Sequence, residues 1–312
     1  MRSITEQEAV SQRRKHPGDE LAGRRVRARL IDRVVTGILW GLASVVVGIL
    51  AAFIIYTIAH GFGVLSWQFV TTASITGAAV GPQVFNSFYI LLFALAICIP
   101  LGLGGAIYLE EYARQGWVTT VLRFAAETLA GIPSIILALF GFLVFVTDFG
   151  TGTRFGFSRL AGALTLVILN LPLMLRVFED AFHSVPGDLR EASYAMGATK
   201  SQTIFRVMIP TALLQLTTGV ILTAGKMIGE TAALIYTAGS NAPVNNWFSL
   251  DPLASGETLT VHLYQLQAEG LAQNAKALEN GTAALLIIFL LVINLGLRWA
   301  ATTINRRLSG RR

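Results

Sequence analysis

Four ionisable residues stand where an apolar chain has little reason to carry charge. Lys226 and Glu230 interrupt an otherwise uncharged run from Thr211 to Ala238. Arg176 and Glu179 close the uncharged run that begins at Leu160. Ionised groups at membrane depth are costly and usually face a bundle interior or a water-filled path. Each pair is therefore either a lock between helices or part of a route for a charged solute. Lys226 and Glu230 are four residues apart, which puts them on one face of a helix, but the Lys-then-Glu order is the weaker one for helix support. Stabilising their own helix is a poor reason for that pair. Fixed cations along a narrow path can replace the hydration shell of an anion, and neighbouring carboxylates can neutralise them when the path is empty.

Covalent catalysis finds no support. His16, His60, His183 and His262 are scattered and form no metal-binding helical pair. Gly225-Lys226-Met227 lacks both the glycine spacing and the Ser or Thr of a nucleotide-binding loop. The chain is expected not to be an enzyme, to need no cofactor or metal, and to leave any ATP hydrolysis to another chain. Cys98 is the single cysteine, so no internal disulfide is possible.

Composition sets the elements that must carry these residues. Hydrophobic residues make up 54% of 312 and charged residues 13%, with a mean hydropathy of +0.61. A soluble or disordered protein is excluded, because too little charge is available to cover a surface. The apolar runs are long enough for helices that cross about 30 Å of hydrocarbon. They read as Val34 to Ala59, Ser87 to Leu109, Thr128 to Thr147, Leu160 to Leu175, Thr211 to Ala238 and Thr282 to Leu297. The fold class is all-α: a polytopic membrane protein with about six transmembrane helices. Barrel strands would be shorter and would alternate.

The net charge of +6 is spread as membrane topology requires, not as a nucleic-acid face. With both termini inside, 20 Lys and Arg fall on the inner side and 3 on the outer. The expected organisation is a basic cytoplasmic tail over 1–33, a transmembrane domain over 34–304, and a second basic cytoplasmic tail over 305–312. The first apolar run is too long for a signal core, and acidic residues precede it, so it reads as a retained anchor behind a mobile tail.

One inner segment carries more pattern than a loop needs. Residues 186–210 run from Pro186 to Pro210, with Asp188 as a candidate N-cap three residues before Glu191. Gly197 suits a helix C-terminus, and Pro210 the first turn of the next span. On spacing alone an ordinary helix at the membrane surface is the slightly better explanation.

At Glu191-Ala192-Ser193, followed by Gly197 and Ile209-Pro210, the segment resembles the EAA motif of ABC importer permeases. Other segments resemble phosphate importer permeases of the PstA type: Ala106 to Ala113 (AIYLEEYA), Gly131-Ile132-Pro133-Ser134-Ile135, Leu171-Pro172 through Arg176 and Glu179, Gly229-Glu230-Thr231-Ala232, and Leu259 to Tyr264. The resemblance covers roughly residues 60 to 305. Two positions depart from it: Lys226 stands where Arg is commoner, and Ala233 where Pro is common. Lysine keeps the charge but loses the planar fork that suits phosphate.

The resemblance implies an ABC importer permease fold and a phosphate transport role in the cell inner membrane. It also implies a second homologous permease, a dimer of ATP-binding subunits and a periplasmic phosphate-binding protein as partners, with inorganic phosphate as cargo. Glu191, Ala192, Ser193 and Gly197 would dock on the ATPase, while Arg176, Glu179, Lys226 and Glu230 would line the anion path. A carboxylate there would accept a hydrogen bond from protonated phosphate, which sulfate at neutral pH cannot donate. The alternatives are a permease for sulfate or molybdate, an ion-coupled secondary transporter, and a structural membrane subunit. The topology is tested with reporter fusions. A periplasmic reporter should be active in 60–86 and 239–280 and silent at the C-terminus, and activity at the C-terminus would overturn the six-span reading.

Overall fold

A computed structural model describes residues 17–308, except 75–78, 115, 148–149, 151, 153, 244, 246–247 and 270–274. Of the basic tails expected from the sequence, 1–16 and 309–312 lie outside the described residues. The chain divides into two units, Met1–Tyr56 and Thr57–Arg312. The first holds most of helix α1 (Pro17–Gly61). Its stretch Ile31–Gly61 is long and apolar enough to cross a bilayer.

The second unit is helical throughout its described elements. They are α2 (Trp67–Thr71), α3 (Gly81–Ile107), α4 (Trp117–Gly131), α5 (Ser134–Gly141), α6 (Arg159–His183), α7 (Gly187–Ala195), α8 (Lys200–Thr203), α9 (Ile209–Gly229), α10 (Thr231–Thr237), α11 (Leu259–Glu269) and α12 (Ala275–Leu308). Short π-helical segments extend α3 over Tyr108–Tyr112 and α5 over Phe142–Val146, and join α8 to α9 over Ile204–Met208. Among the described residues five helical stretches can each cross a membrane, and a bent pair makes a sixth.

The bent pair corrects the expected straight span from Thr128 to Thr147. Helices α4 and α5 meet at 101° across Ile132 and Pro133. Pro133 has no N–H to donate, and its ring drives Ile132 out of the helical region to φ −73°, ψ 133°. The span expected from Thr211 to Ala238 is also divided. Glu230 sits between α9 and α10 at φ −76°, ψ 99°, so Lys226 and Glu230 do not share one continuous helix. Gly229, a weak helix former, precedes the break. At its other end this span starts earlier than expected, at Lys200. The π-helical segment lets the helix run past Pro210, with Ile209 N–H bonding to the Ile204 carbonyl five residues back.

Helices α3 and α6 run parallel and form the centre of the unit. Gly102 lets them approach closely: a Cβ there would come within 2.7 Å of Met174 Cγ. Around them Ile90, Ala94, Cys98, Leu166, Met174, Phe178, Met208 and Met227 make one buried apolar cluster.

At the N-terminal ends of α3 and α6 this core gives way to a buried polar cluster. Ser158 caps α6, and Arg159 follows it with 0% exposure. Arg159 Nε donates to Asn86 Oδ1 at 2.8 Å, and Nη1 donates to the carbonyls of Ser249 and Asp251. Its guanidinium lies 5.2 Å from the ring centre of Phe85 and 5.4 Å from that of Tyr89. Asn86 Nδ2 donates to the Glu257 carbonyl at 3.0 Å, and Gln83 Nε2 to Glu257 Oε2 at 2.9 Å. His262 Nδ1 stands 3.0 Å from Glu257 Oε1. The sequence places Arg159 in a connecting loop; here it ties α3, α6 and the 249–262 segment together. Arg159→Leu should cost about 2–3 kcal/mol, the scale of hydrogen bonds made by a charged group. Arg123→Leu, at a half-exposed ion pair, should cost less than about 1 kcal/mol. Thermal unfolding of the two purified variants in detergent measures the difference.

Candidate functional site

Contacts with α6 fix the depth of the candidate charges. Thr223 Oγ1 lies 3.8 Å from Met174 Sδ, Gly162 packs on Ala238, and Gly141 packs on Thr165. With a rise of about 1.5 Å per residue, Lys226, Glu230 and Pro133 all come within about 5 Å of the level of Leu171. Leu171 is the middle residue of α6. Both breaks thus fall about halfway along α6, and Lys226 occupies the last turn of α9 at that same level. Within this chain the Lys226 side chain is exposed, and among the described residues it joins no ion pair. Glu230 is half-buried.

Arg176 and Glu179 lie nearer the other end of α6. They line a cavity of about 920 Å³ between the end of α3, α4 and α6, together with Arg123, Glu127, Asp180 and His183. Glu179 pairs with Arg123 of α4. Arg176 is exposed to the cavity and forms no ion pair with any described carboxylate. Lys226 and Glu230 are not among the residues lining this cavity. The four expected path residues therefore form two stations at different depths, and Arg123 is a fifth charged residue beside them that the sequence reading missed. Its signal was one arginine in the otherwise apolar turn Val121 to Ala125.

The candidate docking segment forms α7. Its N-cap is Pro186, and Asp188 lies in the first turn without a side-chain cap bond, which corrects the expected cap. A cap must precede the helix with extended backbone, and Pro186 at φ −54°, ψ 133° already does so. Gly197 ends the helix at φ +81°, with its N–H on the Tyr194 carbonyl and the Ala198 N–H on the Ser193 carbonyl. That is a Schellman closure, for which the left-handed conformation favours glycine. Glu191, Ala192 and Gly197 are exposed, while Ser193 turns inward to share a 2.8 Å hydrogen bond with Thr203. Leu189 and Met196 are exposed beside them, Met196 at 87%.

This architecture matches a known one. The family model described as binding-protein-dependent transport system inner membrane component matches residues 98–310, more than half of the chain. The chain belongs to that family.

Its relatives agree with the assignment. The permease is 40% identical over 293 residues to the probable ABC transporter permease protein YqgI of Bacillus subtilis, covering 90% of this chain and 98% of that one. It is 31% identical over 240 residues to the phosphate transport system permease protein PstA of Xylella fastidiosa, covering 76% of this chain and 80% of that one. Among solved structures, the chain of a bacterial ABC transporter importing the acidic polysaccharide alginate aligns over 92% of this permease and 99% of itself. That alignment has a TM-score of 0.57 and 16% identity, so it supports the fold alone.

The cavity geometry is open to a chemical test. Cys98 is buried at 0% exposure, so the native permease should stay unlabelled by a water-soluble thiol reagent. Arg176→Cys should label to about one equivalent, as a thiol facing water does. Mass spectrometry of the labelled protein reads both results.

Proposed function

We propose that this permease is the PstA-type subunit of an ATP-driven importer of inorganic phosphate. It would form half of the anion path beside a second homologous permease, take phosphate from a periplasmic binding protein, and dock a dimer of ATP-binding subunits through α7. Both termini and α7 would lie on the cytoplasmic side. The observation that carries the reading is Lys226, a cation at half depth beside a break in the helix. A charge at that level is tolerated where it faces a partner or a water-filled route. Irregular backbone at that depth likewise needs protein or a cavity around it. Phosphate as the cargo is supported by the PstA relatives, together with the motif set around Arg176 and Glu230.

The two stations have different tasks in this reading. Lys226 would offset phosphate desolvation at the midpoint, with Glu230 accepting a hydrogen bond from the protonated anion. Arg176 would take the anion on toward the cavity. There Glu179 is already engaged by Arg123, which leaves Arg176 free to meet it. Lysine contacts the anion as a point charge instead of a two-pronged fork, which favours passage over tight retention.

The test is a charge-pair series in the reconstituted complex, read as uptake of radiolabelled phosphate. Lys226→Gln should lower uptake by about tenfold to a hundredfold, the equivalent of a charge-assisted hydrogen bond of about 1.5–3 kcal/mol. Lys226→Arg should retain uptake. Lys226→Gln combined with Glu230→Gln should assemble normally, since no unpaired charge is left in the membrane, yet still fail to transport. Normal uptake by the double variant would make the pair a structural lock and place the path elsewhere.

A further inference from the structure

We infer that Glu111 is a positioning residue for energy coupling: it receives α7 through Arg190 and passes the displacement of α7 to the α3 span. This rests on the proposed docking of α7 on an ATP-binding subunit. The starting point is that α7 has no buried residue. Its attachment to the bundle is therefore polar, and polar attachments at this end converge on one carboxylate.

Glu111 is 7% exposed at its side chain, although it lies at the end of a span where water is near. Arg190 of α7 approaches it from one side, with Nη1 2.8 Å from Glu111 Oε1. Lys200, the first residue of α8, approaches from another, with Nζ 3.8 Å from Oε2 and a hydrogen bond to the Glu111 main-chain carbonyl. The Lys200 ammonium also stands 4.7 Å from the ring centre of Tyr112. Arg190 Nη2 donates to the Phe182 carbonyl at 2.6 Å, satisfying one of the open carbonyls at the end of α6, and lies 3.6 Å from Glu110 Oε1. Glu110 in turn holds His183 at 3.2 Å. One side chain of α7 thus hydrogen-bonds the end of α6 and forms an ion pair at the end of α3.

Such a joint transmits force in a way that apolar packing does not. A buried carboxylate held by two cations loses heavily if either one withdraws, because its charge would be left desolvated. A small shift of α7 must then either drag Glu111 along or break the pair. Glu111 sits in the π-helical segment Tyr108–Tyr112, whose bonds span five residues and mark a point of strain or hinge character in a helix. The segment continues directly into α3, which packs along α6 and so reaches the level of Lys226. A displacement of α7 has a short covalent and ionic route to the mid-depth breaks, with Glu111 as its only acidic contact to Arg190 under 3 Å among the described residues.

The experiment uses the full complex, with second permease, ATP-binding subunits and binding protein, in proteoliposomes. Three quantities are read: retention of the ATP-binding subunits on purification, ATP hydrolysis with and without binding protein loaded with inorganic phosphate, and phosphate imported per ATP hydrolysed. Glu111→Gln and Arg190→Gln should each retain the ATP-binding subunits while phosphate imported per ATP falls about tenfold, within the usual range of coupling between sites. The double variant should be no worse than either single, because both remove one link. Arg190→Lys should recover part of the ratio. A merely structural role would lower the amount of complex and leave that ratio alone. A native ratio in Glu111→Gln overturns the inference, and so does loss of the ATP-binding subunits from both single variants. Should Glu111→Gln fail to insert, Arg190→Gln decides by the same ratio, since Arg190 lies on α7 beyond the end of the α6 span. Gly197→Trp is the separate control for docking. If it keeps its ATP-binding subunits and native stimulated hydrolysis, the docking reading itself fails; if it loses them while Glu111→Gln keeps a native ratio, only the Glu111 inference fails.

Discussion

A broken helix inside hydrocarbon must hide its open backbone groups, and that constraint organises this permease. Both breaks fall level with the middle of α6, so their open groups need protein or a water-filled cavity around them. The half-helices that follow, α5 and α10, pack on one another and on α6. The bonds from Ile132 N–H to the Leu129 carbonyl and from Glu230 N–H to the Met227 carbonyl close the turns locally. Discontinuous helices at the midplane are how membrane transporters bring polar groups to a level that continuous helices leave apolar. Here the device leaves Lys226 and Glu230 beside one such opening.

The two ends of the α3–α6 pair are held by different chemistry. At one end Arg159 is fully enclosed and bonded mostly to main-chain carbonyls and the neutral Asn86. Neutral partners in fixed positions make a rigid anchor. At the other end the partners are charged and the attached element, α7, is exposed. Glu111 there exchanges bonds with residues from two short helices. Apolar packing between Gly102 and Met174 connects the ends. A bundle fixed at one end and ionically jointed at the other can tilt about its fixed end, the kind of motion that alternating exposure requires.

The apolar runs and the charge bias made the helical class legible, because bilayer thickness acts on segment length alone. The bends were less legible. Pro133 adds no charge to an uncharged run, and one proline lowers its hydropathy too little to end it, so a length criterion reads straight through it. Gly229-Glu230 was legible as a motif but not as a break, since a four-residue spacing is also what a continuous helix gives. The pairing of Glu179 with Arg123, and of Glu111 with Arg190, depends on helices distant in sequence coming together. Spacing rules describe neighbours on one helix and are silent on those pairs. Arg159 was misread for a related reason. Its environment is made by residues 83–89 and 249–262, neither of which is adjacent to it in the chain.

The distribution of charge around the cavity bears on direction. Its lining includes Arg123 and Arg176 against the carboxylates of Glu110, Glu127, Glu179 and Asp180. Arg123 is already paired with Glu179. An anion reaching Arg176 would therefore meet one free cation and an excess of negative charge around it. Coulomb repulsion across a water-filled space of this size is weak at each pair but acts together from several sides. This surplus of carboxylates would, under the proposed function, weaken the hold of Arg176 on an anion received from Lys226. Under the proposed function, the free energy that ATP supplies is then needed to open the midpoint, and release on the cavity side follows from the charges already in place.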